Sequence, residues 1–159
     1  MERKRIYNRV LNYEKFNTNM TEFVNDNKIA SPSNYLIITS IRERSTYIYE
    51  KGPNMWILLY RWSCTVGKPS TPTIKGQFAV GVKYPAITSE GSKVSAKYAT
   101  QIEGEYYYHS ILYDLTGQYV IDGRLGVAIS HGCIRLATEN AKWIFDNAPQ
   151  GTTVVINWV

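Results

Sequence analysis

Residues 130–136, Ser-His-Gly-Cys-Ile-Arg-Leu, concentrate the chemically reactive side chains of this 159-residue chain. They hold Cys133, one of two cysteines, and His131, one of two histidines. A cysteine is a strong nucleophile only as its thiolate, and a nearby imidazole can take the proton. Gly132 lets the backbone turn sharply, which brings amide N–H groups close to the atom that the sulfur attacks. The segment therefore predicts a cysteine nucleophile.

The second histidine, His109, is the better candidate for the base. His131 lies only two residues before Cys133, and in a turn this spacing does not ensure that its ring reaches the sulfur in productive geometry. His109 lies on a separate predicted strand, which can hold an imidazole rigidly against the sulfur. We therefore expect the base and the nucleophile to come from different elements.

A catalytic imidazole also needs a group that orients its second ring nitrogen. For His109 the backbone carbonyl of Ser110 is one candidate, and the carboxylates of Asp114 and Asp122 are two others. The residues themselves leave these alternatives open.

The elements that must position these residues are mainly strands. Apolar or alternating runs bounded by turn residues predict strands over residues 35–41, 46–50, 55–66, 77–82, 105–111 and 152–159. In the third of these, alternation predicts one shared face for Trp56, Leu58, Tyr60, Trp62 and Cys64. A short helix is expected after Thr138. Consecutive strands joined by tight turns favour antiparallel pairing.

The first 33 residues are predicted to form a helical extension or linker, followed by a main domain over residues 34–159. Apolar residues recur at steps of three and four through residues 6–24, and asparagine-rich interruptions divide them into two short helices. The Ser-Pro-Ser-Asn run at residues 31–34 breaks the pattern and marks the boundary.

Two long segments between the strands are predicted to be loops. Residues 67–76 carry two prolines and two glycines and cannot be regular structure. Residues 83–100 are polar, and a loop of that length in a compact domain is usually functional or mobile. We interpret it as a lid over the reactive site, with a solvated connector as the alternative.

Composition limits the class of partner. The formal charge of +5, from 18 basic and 13 acidic residues, favours anionic surroundings. The basic residues are scattered, so nucleic-acid binding is not expected. Two cysteines make no disulfide framework, and no apolar run is long enough to span a bilayer. The charged start, residues 1–5, lacks the apolar stretch of an export signal, so the chain is either cytosolic or separated from a signal or anchor.

Residues 130–136, together with the pair His109-Ser110, resemble the signature of the L,D-transpeptidase catalytic domain (the YkuD family). The glycine- and proline-containing segment 67–76 is similar to an earlier segment of that family. The resemblance covers about residues 35–159. It implies a mainly β, antiparallel, sandwich-like fold with one short C-terminal helix, next to the N-terminal helical extension. One departure is that 20 residues, 110–129, separate His109 from Ser130, somewhat more than the family usually has.

The resemblance implies a peptidoglycan L,D-transpeptidase that acts in cell-wall biogenesis. Cys133 would attack the carbonyl of the third residue of a tetrapeptide stem and release D-alanine, and an amine of a neighbouring stem would resolve the thioester into a 3-3 cross-link. His109 would be the base, oriented by the Ser110 carbonyl. The amides of Gly132 and Cys133 would stabilise the oxyanion.

Further roles follow from the same resemblance. His131 and Arg135 would shape the site or bind substrate, and a lid tyrosine, Tyr84 or Tyr98, would add a donor. No metal or cofactor is expected. Carbapenems are the expected inhibitor class, and the location is extracytoplasmic, in the wall or anchored to the membrane.

Several alternatives stay open at this point. Hydrolysis in place of transfer would make the protein an L,D-carboxypeptidase, and loss of catalysis would leave a wall-binding module. Cys64 is expected to pack in the core, with a disulfide to Cys133 as the alternative. A zinc site from the two histidines and two cysteines has suitable ligand types but lacks the close Cys-x-x-Cys pairs of structural sites.

Overall fold

The structure is a computed structural model, which describes residues 9–159. The elements in chain order are α1 (Met20–Asp26), β1 (Tyr35–Ser40), β2 (Ser45–Lys51), β3 (Trp56–Ser63), β4 (Val66–Gly67), β5 (Gly76–Ala79), β6 (Lys83–Ser89), β7 (Val94–Glu103), β8 (Tyr106–Ser110), β9 (Leu112–Tyr113), β10 (Val120–Asp122), β11 (Ala128–Ser130), β12 (Ile134–Leu136), α2 (Thr138–Asn147) and β13 (Thr153–Asn157). The predicted mainly β class is confirmed.

The strands form two larger sheets and one small pair. The first sheet has the order β3-β2-β1-β13-β5, and the second has the order β10-β9-β7-β8-β12 with β6 added beside β7. Most neighbours are antiparallel, as predicted. Among the described strands, three pairs are parallel: β1 with β13, β8 with β12, and β4 with β11. Long connections between the paired strands permit this, and the local turn pattern could not reveal it.

The main core lies between the two sheets and α2. It includes Ile37 and Ile48 from the first sheet, Tyr108 and Ile134 from the second, and Ile144 from α2, all fully buried. The opposite face of the first sheet is buried as well, because the N-terminal segment packs on it. Burial on both faces explains why β1 is a continuous apolar run with no alternation.

Within residues 9–33, the N-terminal segment is helical only over α1. The Asn19 side chain accepts a hydrogen bond from the Glu22 amide and caps that helix. The predicted earlier helix is wrong for residues 9–18, which form coil and turns with a positive φ of 74° at Asn17. The part of that prediction that falls on residues 1–8 lies outside the described residues. Phe16 and Phe23 help to seal the first sheet, so residues 9–33 are a packed layer. The boundary at residues 33 and 34 stays a prediction.

A β-bulge corrects the face predicted for β3. The register shifts between Ile48 and Tyr49, which leaves Leu59 without a directly opposed partner. Trp56 therefore packs with the N-terminal cluster, whereas Trp62 packs against the main core. The prediction that the two tryptophans share one face is wrong, because alternation along the sequence does not show an inserted residue.

Residues 83–100 are not a loop, which corrects the second loop prediction. They form the antiparallel hairpin of β6 and β7, with Ser89 opposite Val94. Strand β6 is an exposed edge strand, so it carries no alternating apolar pattern from which it could be predicted. Among residues 9–159, no helix is long and apolar enough to cross a lipid bilayer.

Candidate active site

Parallel pairing of β12 with β8 brings the candidate nucleophile, Cys133, and the candidate base, His109, to one face of the second sheet. In this register Ile134 lies opposite Tyr108, and Arg135 lies opposite His109. Side chains alternate along a strand, so Cys133 and Arg135 share a face with His109. Ile134 and Tyr108 point the other way, into the main core. The apolar residues of the signature thus anchor the strand, and Cys133 and Arg135 lie on its opposite face, away from the main core.

The reactive face opens into a cavity of about 320 Å³. One wall is formed by signature residues and β8, and the other is formed by the β6–β7 hairpin. The lining residues are Ile87, Thr88, Ser89, Ser92, Val94, Ser95, Ala96, His109, Leu112, Ser130, His131, Cys133 and Arg135. The segment interpreted as a lid therefore covers the site as a strand pair. Cys133 and His109, predicted from separate parts of the sequence, line the same cavity.

The tautomer of His109 is fixed by the Ser110 carbonyl, 2.7 Å from Nδ1. A carbonyl can only accept, so Nδ1 donates and Nε2 keeps its lone pair. The residue is only 5% exposed. Burial, together with the positive charge of Arg135, lowers the pKa of His109 to about 4, although the hydrogen bond to the Ser110 carbonyl opposes part of that decrease. The imidazole is therefore neutral at pH 7 and able to accept a proton through Nε2.

The two aspartates considered as orienting groups have other partners. Asp114 accepts hydrogen bonds from Thr116 and from backbone amides of its own loop. Asp122 accepts hydrogen bonds from Arg124 and Arg135. Of the three candidates, only the Ser110 carbonyl binds the His109 ring.

Cys133 is partly buried, and burial raises the pKa of its thiol. A backbone hydrogen bond from Tyr107 and the charge of Arg135 offset part of that increase. The thiol lies 3.5 Å from the carbonyl oxygen of Glu105, which accepts from it. Thiol and imidazole are therefore both neutral in the free protein, so a thiolate would form only on transfer of the thiol proton to a base.

Gly132 adopts a backbone conformation that side chains disfavour. Its φ is +123°, and a Cβ added there would lie 2.7 Å from Cε1 of Tyr106. Its amide donates to Ser130 Oγ at 3.1 Å, and that hydroxyl donates in turn to the Cys133 carbonyl. The Gly132 amide, expected to stabilise the oxyanion together with the Cys133 amide, is thus engaged by Ser130 in the free protein.

The loop at residues 67–76 holds the signature segment, residues 130–136, in place through hydrogen bonds. Thr73 Oγ1 donates to the Gly132 carbonyl and accepts from the Gly67 amide, both at 2.9 Å. Thr71 Oγ1 donates to the Ser130 carbonyl at 2.8 Å. A Cβ on Gly67 would lie 2.1 Å from the Thr71 carbonyl oxygen, so the loop requires glycine there. The sequence indicates an ordered loop here but does not reveal the role of the two threonines, for which their hydroxyl groups are the one signal.

Replacing Thr73 by valine should destabilise the protein by about 1–3 kcal/mol, because it leaves a buried carbonyl and a buried amide without a partner. Urea unfolding of wild type and Thr73→Val measures the difference in free energy. Thr73→Ser is the matched control, since it keeps the hydroxyl and should stay closer to wild type. Equal stability of the valine variant and wild type would contradict the role of Thr73 in holding the signature segment.

Neither lid tyrosine is among the residues that line the cavity, and the donor role expected for Tyr84 or Tyr98 stays a prediction. Tyr98 has a φ of 54°, which interrupts the alternation along β7, and its ring packs 5.6 Å from that of Phe145. Tyr84 is exposed, and its ring lies 6.2 Å from that of Tyr107.

The other two residues expected to contact substrate do line the cavity. His131 is exposed at its edge. The Arg135 side chain is only 12% exposed and donates to Asp122 at 3.4 Å. Asp122 is also held by Arg124, at 2.9 Å through Nη2 and 3.1 Å through Nε.

Cys64 has the core position expected for it. It is fully buried, it forms no disulfide, and burial raises its pKa to about 12. Within residues 9–159, no group of three or more His, Cys, Asp or Glu side chains is placed to hold a metal ion. Cys133 is thus the cysteine with access to the cavity.

Comparison with known proteins agrees with this arrangement. A family model, the L,D-transpeptidase catalytic domain, matches residues 34–156. The putative L,D-transpeptidase YciB of Bacillus subtilis is 33% identical over 128 residues, which cover 76% of this chain and 64% of the relative. The chain therefore spans slightly less than two thirds of that relative.

Solved structures show the same fold. A fused Zn-dependent amidase/peptidase/peptidoglycan-binding domain-containing protein from Clostridium acetobutylicum is 39% identical, with a TM-score of 0.67, over 87% of this chain and 62% of that one. The L,D-transpeptidase LdtMt1, solved in complex with imipenem, is 23% identical, with a TM-score of 0.62, over 78% of this chain and 59% of that one. Since the family match extends over most of its length, the chain belongs to the L,D-transpeptidase catalytic domain family.

Proposed function

We propose that the protein is a cysteine-dependent peptidoglycan L,D-transpeptidase. The observation that carries this proposal is the shared cavity of Cys133 and His109, in which the Ser110 carbonyl holds Nδ1 and leaves Nε2 free to accept a proton. Membership of the family supports the same reaction class.

In the first half-reaction Cys133 Sγ attacks the carbonyl carbon of the third residue in a tetrapeptide stem. His109 Nε2 takes the thiol proton as the carbon–sulfur bond forms. The carbon–nitrogen bond to the terminal D-alanine then breaks, and His109 returns the proton to the leaving amine. The products are a thioester on Cys133 and free D-alanine.

In the second half-reaction a side-chain amine from a neighbouring stem attacks the thioester. His109 accepts a proton from the attacking nitrogen and returns it to the departing sulfur. A 3-3 cross-link forms and the Cys133 thiol is regenerated. A neutral imidazole suits both steps, because each begins with acceptance of a proton.

Charge on the tetrahedral oxygen needs hydrogen-bond donors that are already in place. We assign this role first to the Cys133 amide. The Gly132 amide can contribute only if it releases Ser130 Oγ, to which it donates in the free protein. Gly132 therefore acts chiefly by its conformation, which sets the direction of the Cys133 amide.

Partners and location follow from the substrate. Peptidoglycan stems lie outside the cytoplasm, so we place the protein there. LdtMt1 was solved in complex with imipenem, and we expect carbapenems to acylate Cys133 in the same way.

Product analysis tests the proposed reaction. Purified protein is incubated under reducing conditions with a tetrapeptide stem as donor and a second stem as acceptor, and products are identified by mass spectrometry. We expect D-alanine and a 3-3 linked dimer. A tripeptide with no dimer would show the carboxypeptidase reaction instead, and no turnover would favour the wall-binding module.

A further inference from the structure

The Arg135 guanidinium is a charged group with unused hydrogen-bonding capacity inside the cavity. Within residues 9–159 it makes one side-chain hydrogen bond, to Asp122, and that bond is long at 3.4 Å. A guanidinium carries five N–H donors in a planar fork. Among the lining residues, Arg135 is the only one with a permanent charge, and no carboxylate lines the cavity. An anion that entered the cavity would therefore meet a guanidinium group that uses few of its N–H donors within the described part of the chain.

Asp122 holds Arg135 without neutralising it fully. Its carboxylate is engaged more closely by Arg124, through Nε at 3.1 Å and Nη2 at 2.9 Å, and also accepts from the Arg124 amide. These contacts keep the pKa of Asp122 low, at about 2, so the carboxylate that holds Arg135 stays ionised. One carboxylate is thus shared between two arginines, and the local charge remains positive.

The spacing between Cys133 and Arg135 matches the donor that the proposed function requires. Residues two apart on a strand are separated by about 6–7 Å and face the same way. In the stem, only the amide nitrogen and one Cα lie between the scissile carbonyl carbon and the carboxylate of the terminal D-alanine. A stem whose carbonyl is seated on Cys133 therefore brings its terminal carboxylate within reach of Arg135.

We propose that Arg135, positioned by Asp122, is the receptor for the free carboxylate at the end of the donor stem. This inference rests on the proposed function and adds how the enzyme recognises where the stem ends. Arg135 binds the carboxylate directly through its uncommitted fork. Asp122 is a positioning residue, since it acts only through Arg135. The site then favours a stem that ends one residue after the scissile bond over a stem with a blocked terminus.

A pair of donors that differ only in terminal charge tests the proposal. One is a synthetic tetrapeptide stem ending in D-alanine, and the other is the same peptide ending in D-alaninamide. Release of the terminal residue gives kcat/KM for each. We expect wild type to prefer the acid by about 30-fold or more, the cost of removing one partner of a partly buried charge pair. A wild-type preference below about threefold would overturn the proposal without any variant being needed.

Substitution of Arg135 tests whether this side chain causes the preference for the acid donor. Arg135→Gln should reduce the ratio of acid to amide to within about threefold, mainly through a higher KM for the acid. Arg42→Gln is the matched control: it removes one exposed positive charge on the turn after β1 and should keep the wild-type ratio. Retention of the full ratio by Arg135→Gln would contradict the assignment.

Asp122→Asn should raise KM for the acid about fivefold, the usual scale of a partly exposed ion pair, with kcat within about twofold. Asp122→Glu should restore KM in part, because it keeps the charge. A fall in kcat with unchanged KM would contradict a positioning role. If wild type releases neither terminal residue, the proposed function itself fails, whereas turnover of both donors without preference overturns only this inference.

Discussion

Replacing His109 by glutamine should lower kcat/KM for donor-stem acylation by about 10²–10⁴-fold, the usual contribution of a positioned base. The thiol of Cys133 is neutral at rest because burial raises its pKa. No preformed thiolate is available to compensate, so under the proposed mechanism the reaction depends on Nε2 at the moment of attack. Release of D-alanine by wild type and His109→Gln measures the effect.

The pH profile of wild type gives the same prediction an independent check. Burial holds the pKa of His109 at about 4, and only the neutral ring is a base. Activity should therefore be lost as pH falls through about 4 and should be level from about pH 5 upward to neutrality. An acidic limb near the ordinary histidine value, or less than about tenfold loss in His109→Gln, would contradict the assignment.

Gly132→Ala should reduce kcat/KM by about 10²–10³-fold while the protein stays folded. The new Cβ would lie 2.7 Å from the Tyr106 ring, at a φ of +123° that alanine disfavours. The backbone of residues 131–133 must shift to relieve the close contact and the unfavourable φ. That shift moves the Cys133 sulfur and amide together. A displacement of about 1 Å is enough for losses of this size.

Gly91→Ala is the matched control for this substitution. Gly91 lies at the turn of the β6–β7 hairpin, where a Cβ meets nothing within 4 Å. It should have wild-type activity and a wild-type melting temperature. If Gly132→Ala acylates within about threefold of wild type, the signature glycine does not set the geometry of the nucleophile.

The reactive pair could be predicted from the sequence because its signal is local and chemical. Cys133 and its glycine are adjacent, and His109 with the Ser110 carbonyl needs only a strand to hold it. The structure brings these residues to one cavity, as expected. Their catalytic roles stay predictions until they are measured.

Other features depended on contacts between distant segments. The β8–β12 pairing that aligns Arg135 with His109 is parallel and non-local, and no turn sequence encodes it. Strand β6 is exposed, so its polar sequence predicts a loop and not a strand. Tyr98 faces Phe145 because of one positive φ, which alternation cannot predict. Asp122, whose carboxylate pairs with Arg135, likewise lies in the longer segment after His109.

Intact-protein mass spectrometry after incubation with imipenem tests most directly that Cys133 is the nucleophile. Under reducing conditions we expect one covalent adduct on wild type and none on Cys133→Ala. Cys64→Ala should still carry one adduct, because Cys64 lies in the core away from the cavity. Unmodified wild-type protein, or an adduct that persists on Cys133→Ala, would contradict the cysteine-dependent mechanism.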